Sequence, residues 1–262
     1  MDLHTLDRYQ KVDSPIHRLD PRIKLVGTIL IILSNALLPE GSWLAFTLTL
    51  ILIITLSLLS RLGWAYSITR SWIALPFVLA AVSVIFTLPG QIVASVQIGP
   101  WLLTISDSGL LRFTSILLRS VLSVQAAILL AATTPFHALA HGLRHLRVPR
   151  ILIAILSFMY RYLFLLNEEA ALLMRARTAR SAQRVGQKCR PALWQARVAG
   201  NMVGQLFLRS MERSERVFNA MQARGFRGQF LTLQPHHMHT RDWAALSILS
   251  TAIATIQLVA NL

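Results

Sequence analysis

The sequence predicts an all-α polytopic membrane protein with about five transmembrane helices and a pair of crossed amphipathic helices on the cytoplasmic side. Three observations carry this expectation. The 262-residue chain is 54% hydrophobic and 14% charged, with a mean hydropathy of +0.54, which is too apolar for an ordinary soluble domain. Its apolar residues are clustered, because 41–60, 71–106, 120–143 and 243–262 contain no Asp, Glu, Lys or Arg. Each run is long enough to cross hydrocarbon, which takes roughly 17 to 25 helical residues. Finally, the formal net charge of +15 comes mostly from the stretch between Arg144 and Arg241, and basic residues next to spans are retained on the cytoplasmic face.

The elements follow in order. Residues 1–22 are polar and end in Leu19-Asp20-Pro21-Arg22. Asp20 is placed to cap a helix whose first position is Pro21, where a missing N–H costs nothing. The acidic residues ahead of the first apolar run, and the lack of a small-x-small pattern after it, argue against a cleavable signal. Pro39-Glu40-Gly41-Ser42 forms a turn, and Trp43 sits where an interfacial anchor would open a second span to about Ser60. A third span runs from about Trp72 to Leu88 and stops at Pro89-Gly90. Segment 91–108 reads as an external loop with room for a short extended or re-entrant piece. The fourth span begins near Arg112 or Ser115 and is stopped by Thr133-Thr134-Pro135.

Within residues 149–167, Ile151 to Leu166 are apolar apart from Arg161, and parity decides their place. Four spans from a cytoplasmic N-terminus return the chain to the cytoplasm, and a fifth here would export the arginine-rich block. The segment is therefore expected to lie against the membrane or within the bundle on the cytoplasmic side. The last span is 243–261. Three regions result: a four-span membrane region at 1–134, a cytoplasmic or interfacial region at 135–242, and a C-terminal transmembrane helix at 243–262.

The middle region is the informative one. Arg209, Arg213 and Arg216 share one helical stripe, while Val203, Leu206, Phe207, Ser210, Ser214, Val217, Phe218 and Met221 share another. Glu212 and Arg216 stand four apart as a supporting pair. Gly200 and Gly204 repeat at a spacing that lets another backbone approach. The expected crossing partner spans about Asn167 to Gln183, with Glu168 and Glu169 at its positive end and Arg175, Arg177 and Arg180 at its negative end. Both helices finish in one arginine between small residues: Ala179-Arg180-Ser181 and Ala223-Arg224-Gly225. Such an end can enter a groove on another protein, where the guanidinium offers a fork of donors. Solvated helix caps are the plainer alternative.

Other chemistry finds less support. The basic block is almost all arginine at helical spacing rather than basic stripes with stacking aromatics, which disfavours nucleic acid. Cys189 alone can build neither a disulfide framework nor a thiolate metal site. His236, His237 and His239 form one histidine group and His137, His141 and His145 another, on one helix face. The first group, adjacent histidines in a loop, lacks the second shell and geometry of a defined site, and the second has no carboxylate near in sequence, so no metal site is assigned. Arg161 and the Glu168-Glu169 pair suggest either an ion pair or an arginine reaching for lipid phosphate. There is no nucleophile elbow and no paired intramembrane carboxylate for an enzyme, and no glycine-rich phosphate loop.

At these motifs the chain resembles the T component of energy-coupling-factor importers. The resemblance is carried by Glu168-Glu169, Met174-Arg175-Ala176, Ala179-Arg180-Ser181 and Ala220-Met221-Gln222-Ala223-Arg224-Gly225-Phe226. Within that family the flanks are similar to the cobalt branch: Thr133-Thr134-Pro135-Phe136, Val148-Pro149, Tyr160-Arg161-Tyr162 and Leu208-Arg209-Ser210-Met211-Glu212-Arg213. The resemblance implies that the two arginine-ended motifs terminate coupling helices that dock into grooves on two CbiO-like ATPase subunits. It also implies a CbiM-like substrate-binding membrane subunit, a small CbiN-like accessory subunit, and a non-catalytic role with no cofactor, in the bacterial inner membrane. Ser181 departs from the family's glycine, and Ala176-Arg177-Thr178 offers a competing register for the first motif. Cobalt is implied by the resemblance alone, with nickel, biotin or shared vitamins as alternatives.

Overall fold

The computed structural model describes residues 9–10, 12–62, 69–87, 92–98, 101–146, 148–180, 192–227 and 239–261. The fold is all-helical apart from one hairpin. In chain order the elements are α1 (Pro21–Leu37), α2 (Trp43–Leu59), a 3-10 turn (Ser71–Ala74) running into α3 (Leu75–Thr87), strands β1 (Ile92–Ile98) and β2 (Trp101–Ser106), α4 (Asp107–Thr133), α5 (Phe136–His145), α6 (Arg150–Arg180), α7 (Ala192–Ala223) and α8 (Thr240–Asn261). The chain divides into two compact units. One holds α1 to α4, most of α5, and α8; the other holds α6 and α7.

The helix starts follow local chemistry. Asp20 caps α1, its carboxylate accepting the Arg22 backbone N–H at 2.9 Å, with Pro21 at the first position. Helix α4 starts at Asp107 rather than near Arg112. Ser106 caps it by accepting the Gly109 N–H at 3.1 Å, and Asp107 lies in the first turn, so residues that look like a turn in sequence are a helix entry. The segment before it is the extended form of the two expected, an antiparallel hairpin with Ile98 opposite Trp101 and a bulge between Ile92 and Ala94.

In the first unit α4 packs on α1, α2 and α3, and α8 packs on α1 and α2. Their shared core is Leu38, Ala45, Phe46, Ile53, Leu122 and Ile256. Because lipid is as apolar as these side chains, close packing and interhelical hydrogen bonds hold such a bundle together. Asn35 Nδ2 donates to Arg119 O and Ser123 Oγ, each at 2.9 Å. Gln257 Nε2 donates to Ser34 O at 2.7 Å and Ser34 Oγ at 2.9 Å. Arg119 reaches across to the Leu38 carbonyl at the end of α1. The buried Asp242 carboxylate accepts the backbone N–H groups of Asp20 at 3.1 Å and His239 at 3.0 Å, tying the start of α8 to the start of α1.

Helices α4, α6 and α8 are long and apolar enough to cross a membrane, and Trp43–Leu59 and Leu75–Phe86 are shorter apolar helices. The α6 result differs from the sequence expectation of two helices meeting near Asn167. Residues 150–180 hold no Gly or Pro, and Asn167 is flanked by leucine and glutamate, all good helix formers, so nothing breaks a single 31-residue helix.

Candidate functional site: an arginine-ended helix pair

Helices α6 and α7 run antiparallel where they touch. Arg213 Nη2 donates to Glu169 Oε1 at 2.5 Å, and both side chains are largely shielded, at 32% and 18% exposed. Farther along, the Phe158 ring on α6 meets Phe226, just beyond α7, edge to face with centroids 6.4 Å apart. Between these two contacts lies an apolar cleft of about 680 Å³, walled by Phe158, Tyr162 and Leu166 on one side and Met211, Val217 and Met221 on the other.

The ion pair was missed at the sequence level. Arg213 shares the basic stripe of Arg209 and Arg216, yet it sits three residues after Ser210 and four before Val217, on the seam that faces α6. That spacing is the signal that could have found it. The structure corrects three neighbouring expectations. Glu169 pairs with Arg213 and not with Arg161, which is exposed. Arg216 Nε donates to the Glu212 backbone carbonyl at 3.4 Å rather than to its carboxylate. Among the described residues, nothing lies within 4 Å of where a Cβ would stand on Gly200 or Gly204; side chains meet α6 farther along.

Each helix carries its arginine at its C-terminal end. Ala223 is the last residue of α7, and Gly225, at φ +78°, reverses the chain. Phe226 N–H donates to Met221 O at 3.0 Å and Gly225 N–H to Gln222 O at 2.9 Å, the paired bonds of a Schellman cap. Glycine is needed there because a Cβ disfavours positive φ. Arg224 is therefore held at the turn itself, with Ala223, Arg224 and Gly225 all exposed. On α6, Ala179 and Arg180 are the last two residues and are exposed, whereas Arg177 is half-buried. Ser181 lies outside the described residues, as do Cys189, His236 and His237. Among the described residues neither Arg180 nor Arg224 has a carboxylate partner. Among those residues, too, no three His, Cys, Asp or Glu side chains gather as metal ligands, and that includes His137, His141 and His145.

The geometry is balanced. Arg180 lies eleven positions after Glu169, and Arg224 eleven after Arg213. At 1.5 Å per residue each guanidinium-bearing end stands about 16 Å from the ion pair along its helix. The helices run in opposite directions, so the two ends project to opposite sides of the crossing.

One unit of apolar packed helices, three of the chain's helices being long and apolar enough to cross a membrane, and another of two long antiparallel helices define a class: a polytopic helical membrane protein. Comparison with known proteins makes this specific. A family model described as cobalt transport protein, CbiQ, matches residues 13–236. The chain is 25% identical over 231 residues to the cobalt transport protein CbiQ of Salmonella typhimurium, covering 86% of this chain and 98% of that one. It is 30% identical over 255 residues to the energy-coupling factor transporter transmembrane protein EcfT of Heliobacterium modesticaldum, covering 92% and 91%. It is also 34% identical over 115 residues to the nickel permease LarQ of Lactiplantibacillus plantarum, covering 44% and 40%. The chain belongs to the CbiQ family of cobalt transport proteins. It is a transmembrane component of a transporter in the energy-coupling-factor class.

Proposed function

We propose that this chain is the coupling subunit of an ATP-driven importer, carrying movement from a pair of CbiO-like ATPase subunits to a CbiM-like substrate-binding membrane subunit, assisted by a CbiN-like subunit. The observation that carries the reading is the antiparallel pair pinned at Glu169–Arg213 with an exposed arginine at each end. A lever needs a fixed crossing and two free tips. Arg180 and Arg224 are the docking guanidiniums, flanked by Ala179 and Ser181 and by Ala223 and Gly225, whose small side chains let each tip enter a groove. Arg180 is preferred over Arg177 because it is the exposed member at the helix end. The ATPases' nucleotide state biases two arrangements of the pair, and the membrane helices follow.

In this reading residues 135–242 carry the coupling helices on the cytoplasmic side, the N-terminus is also cytoplasmic, and the bundle sits in the bacterial inner membrane. Cobalt is the favoured cargo from the family description, and the LarQ relative makes nickel the second reading. A detergent pull-down of the tagged chain with its neighbouring ATPase tests the docking step. Arg180→Glu and Arg224→Glu are each expected to cut ATPase capture by about tenfold or more, since a reversed charge replaces a charge-assisted contact by repulsion. Capture equal to wild type by both variants contradicts the docking roles.

A further inference from the structure

At the end of the bundle where α1 and α8 begin and α2 finishes, a cavity of about 980 Å³ opens. Three arginines line it: Arg18, Arg61 and Arg241. Arg18 is already engaged, donating from Nε to Asp13 Oδ1 at 2.9 Å and from Nη2 to Asp13 Oδ2 at 2.7 Å. That pairing holds the Asp13 carboxyl below its ordinary range, with a smaller pull in the same direction from nearby Arg61. The other lining carboxylate, Asp242, is occupied by two backbone N–H groups. Among the described residues, Arg61 and Arg241 therefore face the cavity with no carboxylate within ion-pair distance.

Arg61 is also conformationally singular. Its φ is +54°, the one non-glycine residue in the left-handed region among those described, and its N–H donates to Leu58 O at 3.0 Å. Such strain persists where the surroundings fix the backbone, and here it aims a guanidinium toward the α8 entry. The remaining wall combines apolar Pro15, Ile16, Leu19, Leu59 and Ala245 with the polar residues Ser14, His239 and Thr240. Two guanidiniums with no ion-pair partner among the described residues, over a partly apolar wall, fit an amphiphilic anion. Guanidinium forks match phosphate oxygens, and basic pockets between spans on the cytoplasmic side suit anionic head groups.

We propose that this cavity binds a phosphate group, either the diester of an anionic phospholipid or a soluble phosphate monoester, with Arg61 and Arg241 as its ligands. The test is native mass spectrometry of the full chain in maltoside detergent with added phosphatidylglycerol or phosphatidylcholine. Phosphatidylglycerol is expected to be retained in preference to phosphatidylcholine. Arg61→Gln with Arg241→Gln is expected to lower its occupancy by about tenfold or more, as two charge-assisted donors are lost. Arg112→Gln, which removes an arginine paired to Glu40 at the far end of α1, serves as the control and should change nothing. Excess glycerol 1-phosphate separates the sources: phosphatidylglycerol that stays bound identifies a lipid site, and its displacement identifies a site for soluble phosphate. Should the double variant fail to fold, Arg241→Gln at its exposed position carries the same comparison. Retention of phosphatidylglycerol by the folded variants at the wild-type level, or binding of neither probe, overturns the proposal.

Discussion

At the scale of single residues, the structure shows how much depends on one atom's surroundings. His17 illustrates this just ahead of α1. Its Nδ1 lies 2.6 Å from Ser14 Oγ, and Tyr9 stands edge-on to its ring with centroids 6.0 Å apart. Burial, with the charge of Lys24 as the second cause, pushes its pKa below the ordinary 6.5. A depressed histidine pKa means that the unfolded chain binds the proton more readily than the folded one. The stability contributed by neutral His17 is therefore complete above pH 6.5 and is lost as the pH falls through the folded value. Thermal unfolding in detergent should show a midpoint that drops between about pH 7 and 5, and His17→Gln should flatten that drop. An unchanged pH slope in the variant would assign the effect to other groups. Gly225 was legible in the sequence as a helix stop; the Schellman cap adds the reason, which is the positive φ that presents Arg224 at the turn.

At the scale of elements, helix existence was readable and helix joints were not. The cap at Asp20-Pro21 and the stop at Thr133-Thr134-Pro135 rest on local chemistry, and both hold. The start of α4 was misread because Asp107-Ser108-Gly109 has turn composition, and composition cannot say whether a serine before it will cap a helix. The continuity of α6 was misread for a related reason: a change from apolar to charged composition at Glu168 marks a change of environment, not a break in the backbone. Gly109 is the residue that sets how α4 meets α3. A Cβ there would lie 2.7 Å from the Ile85 carbonyl oxygen, a backbone atom that cannot swing away. Gly109→Val should destabilise the bundle by about 1–3 kcal/mol through overpacking, read as a lowered thermal midpoint. A neutral result would show that α3 and α4 separate without cost.

At the scale of the whole molecule, the pattern of apolar runs and the arginine block suffice to predict a polytopic bundle with a pair of long helices, because both rest on periodicity and charge. Tertiary pairing lies beyond that information. The Glu169–Arg213 bond joins residues 44 positions apart, and helical spacing, which can place Arg213 on the seam, does not say which glutamate it meets. The pair nevertheless organises the account, since it pins two helices whose exposed ends are equally distant from it. The proposed coupling role requires that this crossing transmit movement.

The most direct measurement is ATP-driven uptake of radioactive cobalt by cells expressing the complete importer, with Glu169→Arg, Arg213→Glu or both in this chain. The account predicts that each single reversal, which places like charges at the crossing, lowers uptake by about tenfold or more, and that the double reversal restores a large part of it. Wild-type uptake in both single variants, with the chain at normal levels in the membrane, would contradict a coupling role for the pinned helix pair.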